Sequence, residues 1–147
     1  MGEPQANKDL VMRFVRANND GDMDALDELL ARDFKRHCPA TPGVEVNCPD
    51  DFKAFLQRTL IETPDAHVEA HHVVAEGDMV ALWSTFSGTQ EGQMGPFPPT
   101  GKKFTADFGA FFRIEGERIA ELWVTWDNLD GLAQLGHIDL SSSPGAG

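Results

Sequence analysis

The chain opens with apolar residues at the spacing of an α-helix. Residues 8–18 place apolar side chains three and four positions apart, which predicts an amphipathic helix that ends at the turn 19–21. The apolar face of this helix consists of Leu10, Val11, Phe14 and Val15. Asp22 can cap a second helix, whose apolar stripe is Leu26, Leu29 and Leu30, with Phe34 just beyond it. A helical hairpin is therefore expected at the start of the domain.

The segment 35–49 interrupts this helical pattern. Its three prolines and one glycine predict a connecting loop, and these residues are Pro39, Pro42, Gly43 and Pro49. A third helix is expected from Asp50, with an apolar stripe at Phe52, Phe55, Leu56 and Leu60. Thr63 precedes Pro64 and ends this helix, because a residue before proline avoids the helical conformation.

From Ala66 onward the period changes to two, which predicts β-strands. In the first strand one face is expected to carry Val68, Ala70, His72 and Val74. Tight turns at 76–78 and 115–117 delimit further strands over 79–88, 104–114 and 118–126. The strand 104–114 alternates most strongly, with Phe104, Ala106, Phe108, Ala110, Phe112 and Ile114 on one face. Residues 128–135 are predicted to form a closing helix with Gly136 as its C-cap.

Three helices followed by an antiparallel meander predict an α+β domain in which a curved sheet wraps around the helices. The strands are long and aromatic on one face, and Gly109 permits a sharp bend, so we expect a cone with an internal, mostly apolar pocket. We assign residues 1–136 to one domain. Residues 137–147 are predicted to be a flexible tail, because the stretch 141–147 has nothing to bury.

Charge and composition narrow the expected partners. The 147 residues carry a formal net charge of -12, which disfavours binding to nucleic acid and to anionic membranes. There is no apolar run of membrane-spanning length and no basic leader followed by an apolar stretch. The two cysteines, Cys38 and Cys48, are too few for a disulfide framework. We therefore expect a soluble, cytoplasmic protein whose partner is a small molecule.

Asp127 is the first catalytic candidate. It stands where an aromatic-rich strand runs into the closing helix, and a carboxylate among apolar side chains is poorly solvated when charged. Poor solvation favours proton exchange near neutral pH. Asp before a short helix is also a common N-cap, which accepts a backbone N–H that the helix leaves unpaired. The two roles are compatible.

Aromatic and histidine side chains supply the other site candidates. Trp83, Phe108 and Phe112 can form flat walls for a polycyclic or aromatic ligand, and simple core packing is the alternative for each. Trp123 shares strand parity with Asp127, so both are expected to face the same cavity. His72 is expected in the core or the pocket wall. The stiff apolar segment 94–99 can be a lid or a dimer contact.

The histidines do not have the spacing of a metal site. His67 and His71 on one strand lie roughly 13 Å apart at ~3.3 Å per residue, and His71 and His72 point to opposite faces. A site built from His37, Cys38 and Cys48 has no recognisable ligand spacing. We therefore expect no metal site.

Several linked segments together identify a family resemblance. They are Gly95–Lys103, Phe112–Trp123, Trp126–Leu129 and Gln134–Gly136, with Asn18–Leu26 and Asp33–His37 also fitting. In these segments the chain resembles the SnoaL-like polyketide cyclases, also labelled ester cyclases, of the NTF2-like superfamily. The resemblance covers about residues 8–136. It implies an α+β cone, a pocket without a cofactor, and a homodimer formed through the outer face of the sheet.

The resemblance also implies roles for individual residues. Characterised cyclases use an Asp at the position resembling Asp127 as acid/base in an intramolecular aldol closure of a polyketide methyl ester. His37 resembles a histidine at the pocket rim that hydrogen-bonds substrate or assists the Asp, although Lys35 and Arg36 beside it suggest solvent. The cyclases carry a further histidine near the position of Ala110, where this chain has none. We therefore expect cyclase, isomerase or lyase chemistry, with a non-catalytic binding domain or a cofactor-independent hydrolase or dehydratase as alternatives.

Overall fold

The computed structural model of the protein describes residues 3–142. Its helices are α1 (Pro4–Asp20), α2 (Met23–Leu29), α3 (Pro49–Glu62) and α4 (Asn128–Gln134), followed by a 3-10 turn at Leu140–Ser142. Its strands are β1 (Leu30–His37), β2 (His67–Glu76), β3 (Met79–Thr89), β4 (Lys103–Glu115) and β5 (Arg118–Trp126).

Local signals in the sequence set the helix ends. Gly21 adopts a left-handed conformation with φ 63° at the end of α1, and its N–H bonds the carbonyl of Asn18. The predicted cap at Asp22 is confirmed, because its carboxylate accepts the N–H of Ala25 at 3.1 Å. Pro49 occupies the first turn of α3, where its missing N–H costs nothing.

The strand β1 corrects the predicted order of elements. The sequence places Leu30 in the second helix and begins a loop at Lys35, whereas the structure has one strand from Leu30 to His37. Its inward side chains do not alternate regularly, because a register irregularity lies between Leu30 and Lys35. Without a clean period of two, the segment has no strand signature in the sequence.

The sheet has the order β1-β5-β4-β3-β2. Strands β2 to β5 pair antiparallel, which confirms the predicted meander. Strand β1 pairs parallel with β5, so the sheet is mixed rather than purely antiparallel. The α+β fold with a curved sheet wrapped around N-terminal helices is confirmed.

Aromatic rings join the helices to the inner face of the sheet. Phe14 of α1 lies 5.5 Å between ring centroids from Phe52 of α3 and 5.5 Å from Phe112 of β4. Phe34 of β1 meets Phe52 edge-on at 5.7 Å. All four rings belong to the hydrophobic core, and Phe14, Phe52 and Phe112 also line a cavity.

The end of the domain extends past the predicted boundary at residue 136. The ring of His137 lies 4.9 Å from the Phe97 ring, so the first residue of the predicted tail packs against the domain. Residues 143–147 of that predicted tail lie outside the described residues. Within 3–142, no helix is both long enough and apolar enough to cross a membrane.

Candidate functional site

A cavity of about 740 Å³ lies between the helices and the inner face of β3, β4 and β5. Its wall is mostly apolar, as is usual for small-molecule sites. The aromatic residues of the wall are Phe14, Phe52, Phe55, Phe86, Phe97, Phe104, Phe108, Phe112 and Trp126. The volume lies within the range of about 300–1,000 Å³ that is usual for small-molecule sites.

Asp127 lies at the rim of this cavity, where β5 ends and α4 begins. Its Oδ1 accepts the N–H of Asp130 at 3.1 Å, so the predicted cap role is confirmed. The side chain is exposed, and the prediction that apolar neighbours leave it poorly solvated is wrong. Within the described chain its Oδ2 has no hydrogen-bond partner, which leaves that oxygen free to face a ligand.

Two hydrogen bonds fix the rim beside Asp127. The indole N–H of Trp126 donates to the Asn128 side chain at 2.8 Å, and the Asn128 amide donates to the carbonyl of Ala40 at 2.5 Å. The start of α4 is thereby tied to the loop after β1. These bonds hold the start of α4, which Asp127 caps, against that loop.

Phe108 and Phe112 line the cavity as predicted, but Trp83 does not. Trp83 pairs across the strands with Gly109, the residue between the inward positions 108 and 110. Paired residues share a face, so Trp83 points to the outer face of the sheet and is 48% exposed. The face that Trp83 occupies depends on the register between β3 and β4, and alternation within a single strand does not reveal that register.

Trp123 is also on the outer face, contrary to the prediction from parity. Strand β5 ends at Trp126, and the chain turns into the cap of α4, so parity does not continue from Trp123 to Asp127. Leu122, Val124 and Trp126 are the residues of β5 that line the cavity.

A β-bulge moves His72 away from the cavity. Ala70 pairs with Ser84 and His72 pairs with Trp83, so His71 is an extra residue in β2. The bulge reverses the alternation, and inward positions change from Val68 and Ala70 to Val73 and Ala75. His72 is therefore exposed on the outer face, and the prediction that it forms core or pocket wall is wrong.

The structure does not bring His37 and Asp127 together. His37 lies at the end of β1 on the outer face, where its ring stacks on Trp123 at 5.4 Å. Its Nε2 lies 2.6 Å from a carboxylate oxygen of Glu121. This hydrogen bond and the nearby Arg113 lower the pKa of Glu121 below its usual value. His37 is therefore part of an outer ion-pair network rather than the cavity rim.

Four large apolar side chains remain exposed on the outer face of the sheet. We name them the outer apolar patch, and they are Val74 (61% exposed), Trp83 (48%), Phe111 (55%) and Trp123 (36%). Successive cross-strand pairs join Val74 to Ala81, Ala81 to Phe111, and Phe111 to Trp123, so the patch spans β2, β3, β4 and β5. A contiguous apolar surface of this kind marks a contact site.

Arg36 is the cavity residue that the sequence reasoning missed. It was expected in solvent beside Lys35, but it lies on the inner face of β1 and is only 8% exposed. Its guanidinium carbon lies 4.2 Å from the Phe55 ring centroid and 5.9 Å from that of Trp126. Phe34 lies two positions before Arg36, but a single repeat of two is too short a pattern to indicate a strand.

Residues 93–97 line the cavity, which favours the lid interpretation over a dimer contact. The fully buried Gln90 anchors this segment, because its Nε2 donates to the carbonyls of Gly92 at 3.1 Å and Phe97 at 3.0 Å. His137 Nε2 donates to Gln90 Oε1 at 2.6 Å. The Gln90 side chain thus joins residues 92–97 to His137, which follows α4.

We expect Gln90→Ala to destabilise the protein by about 1–3 kcal/mol, because it leaves two carbonyls and His137 without this partner. Urea denaturation measures the loss, and amide hydrogen exchange should increase over 93–97. The control is Gln93→Ala in the same segment, since Gln93 bonds only its neighbour Gly95. A change below about 0.5 kcal/mol is expected for the control, and an equal loss in both variants would contradict the anchor role.

Within residues 3–142, no three His, Cys, Asp or Glu side chains lie close enough together to hold one metal ion. His71 instead shares a hydrogen bond with Thr85 at 2.7 Å, and Thr85 donates to Asp107 at 2.7 Å on the outer face. Asp107 is thus on the outer side, as its strand parity predicts.

Comparison with known proteins assigns the chain to a family. A family model described as SnoaL-like polyketide cyclase matches residues 8–135, so the protein belongs to the SnoaL-like polyketide cyclase family. This confirms the resemblance found in the sequence. No curated protein matches the chain in sequence.

Solved structures share the fold over nearly the whole chain. TsrD from Streptomyces laurentii is 28% identical with a TM-score of 0.82, and the match covers 94% of this chain and 100% of TsrD. IdmH from Streptomyces antibioticus, a candidate polyketide cyclase, is 29% identical with a TM-score of 0.78, covering 88% of this chain and 98% of IdmH. An LEH-like epoxide hydrolase from M. tuberculosis, 17% identical with a TM-score of 0.72 and coverage of 91% and 92%, shares the fold alone.

Proposed function

We propose that the protein binds a small, largely apolar molecule in its cavity and that Asp127 exchanges a proton with an acidic carbon of that molecule. The observation that carries this proposal is the position of the Asp127 carboxylate at the rim of an apolar cavity of about 740 Å³. The cap of α4 occupies only Oδ1, so Oδ2 can accept a proton without breaking the helix end. Membership of the polyketide cyclase family supports the same chemistry.

The proposed step starts at a carbon next to a carbonyl group. Asp127 Oδ2 accepts a proton from this carbon, and the electron pair of the C–H bond moves to form an enolate. In a cyclisation the enolate carbon then attacks a second carbonyl of the same molecule, and the resulting alkoxide takes the proton back from Asp127. The net reaction is an intramolecular aldol closure, and a positioned acid/base group typically contributes about 10²–10⁴-fold to such a rate.

Proton exchange of a model ketone tests the proposal. The probe is 2-tetralone, a bicyclic aromatic ketone, and ¹H NMR in D₂O follows the loss of its α-proton signals. We expect the protein to accelerate the exchange above the buffer rate. If the ketone binds but its proton exchange is not accelerated, the second candidate, a non-catalytic binding domain, is supported instead. Two observations favour that candidate, namely the exposed side chain of Asp127 and its role as a helix cap.

We also propose that two copies pair through the outer apolar patch. The patch exposes two Trp rings and one Phe ring, and aromatic side chains are enriched at protein interfaces. The family resemblance implies a dimer through this same face. We expect a dimer by analytical ultracentrifugation at micromolar concentration, and Phe111→Glu should convert it to monomer because it places a charge in the centre of the patch. If the Phe111→Glu variant is still a dimer, pairing through the outer apolar patch is contradicted.

A cytoplasmic location is the final part of the proposal. Cys38 and Cys48 are free thiols, which suits a reducing compartment. Fractionation of cells that express the full chain tests the location, and recovery in a secreted fraction would contradict it.

A further inference from the structure

The guanidinium of Arg36 is a buried charge without a carboxylate partner. Two carboxylates line the same cavity, but Glu62 pairs with Arg58 at 3.6 Å and Asp127 caps α4. Among the described residues Arg36 makes one side-chain hydrogen bond, from Nη1 to Thr41 Oγ1 at 3.2 Å. The Cys38 thiol lies close to the guanidinium as a second polar neighbour, and it is not a carboxylate.

Burial of an unpaired charge is unfavourable. Loss of solvent lowers the pKa of Arg36, with a smaller contribution in the same direction from Arg58, while Cys38 acts in the opposite direction. An arginine side chain nevertheless remains charged under all ordinary conditions. Phe55 and Trp126 compensate partly through cation–π contact, but they do not accept hydrogen bonds from the N–H groups in the plane of the guanidinium. If Arg36 had only a structural role, an apolar residue of similar volume would fill the position with a smaller desolvation penalty.

The unused donors of Arg36 face open space. Ser84 Oγ is the only sealed side-chain nitrogen or oxygen without a partner among the described residues, so any donors of Arg36 from which neither Thr41 nor Cys38 accepts a hydrogen bond are still accessible. The accessible space beside them is the cavity that Arg36 lines. Nε and Nη2 form one edge of the guanidinium plane, and this edge matches the two oxygens of a carboxylate.

We propose that Arg36 is an anion-binding subsite of the cavity and that its ligand is a flat aromatic molecule that carries a carboxylate. The ring system packs against the aromatic walls, and the carboxylate pairs with the free edge of the guanidinium. This inference rests on the proposed function, because it requires that the cavity hold a ligand. The formal charge of -12 repels anions in general, so binding of a carboxylate requires a local cation of this kind.

A matched pair of probes tests the subsite, namely 2-naphthoate and its uncharged methyl ester, with affinities measured by isothermal titration calorimetry. Arg36→Met keeps an unbranched, flexible side chain and removes its charge. We expect this variant to bind 2-naphthoate about tenfold or more weakly than wild type, the loss of one charge-assisted contact. Affinity for the methyl ester should change less than about threefold, and the thermal unfolding midpoint should not fall.

Arg58→Met is the matched control, because it removes the same charge from the same cavity wall. Arg58 is already paired with Glu62 and half exposed, so its loss should leave both affinities within about threefold. Equal weakening by Arg36→Met and Arg58→Met would show only a long-range charge effect and would overturn the subsite. If Arg36→Met does not fold, Arg36→Lys replaces it, and a loss of naphthoate affinity with unchanged ester affinity is again expected.

The affinities of the wild-type protein for the two probes distinguish failure of this inference from failure of the proposed function. If wild type binds the methyl ester more tightly than 2-naphthoate and Arg36→Met alters neither affinity, the cavity binds ligands and the anion subsite is wrong. If wild type binds neither probe, the ligand cavity of the proposed function fails as well.

Discussion

Asp127→Asn is expected to slow the catalysed exchange of 2-tetralone by at least about 100-fold, because an amide cannot accept the proton from carbon. Folding should be unaffected. Asn is as good an N-cap as Asp, so the contact with the N–H of Asp130 persists, and unfolding free energy should change by less than about 0.5 kcal/mol. Calorimetry should also give an unchanged affinity for the ketone.

Asp127→Ala separates the two roles of the same residue. It removes both the carboxylate and the cap, so we expect the same loss of exchange together with about 1 kcal/mol of destabilisation in urea. Exchange that survives in Asp127→Asn, with normal folding and binding, would show that Asp127 is only a helix cap. In that case the binding-domain interpretation would replace the catalytic one.

Phe34→Ala is expected to destabilise the protein by about 3–5 kcal/mol, the largest effect on stability that we predict. Phe34 is fully buried in β1, and its ring packs edge-on against Phe52 at 5.7 Å. Removal of the ring leaves a void between β1 and α3 that neighbouring side chains can fill only in part. The denaturation midpoint in urea and the slope together give the change in unfolding free energy.

The control for Phe34 is Leu129→Ala, since Leu129 is 57% exposed on α4. A change below about 0.5 kcal/mol is expected there. A similarly small effect of Phe34→Ala would contradict the burial of β1. It would instead support the helix and loop that the sequence alone predicts for residues 30–37.

The sequence predicts those elements whose pattern is regular. Strand β4 alternates without interruption, and the helix stripes of α1 and α3 repeat at three and four residues. Strand β1 lacked such a pattern, because the residues between Leu30 and Phe34 do not alternate. The parallel pairing of β1 with β5 is a contact between distant segments, and no local pattern encodes it.

The site is less predictable than the fold because it depends on cross-strand register. One extra residue at His71 reverses the facing of the rest of β2, and the end of β5 breaks the parity between Trp123 and Asp127. The sequence indicated Asp127 as a candidate because this residue directly precedes a predicted helix. Arg36 was not, because its burial follows from the strand that the sequence did not reveal.

The most direct test of the central claim is a crystal structure of the protein with 2-tetralone bound. We predict that the ketone lies in the cavity with an α-carbon about 3–3.5 Å from Asp127 Oδ2, the separation from which a proton can be transferred. A ketone bound on the outer apolar patch, or bound in the cavity with both α-carbons out of reach of Asp127, would contradict the proposed function.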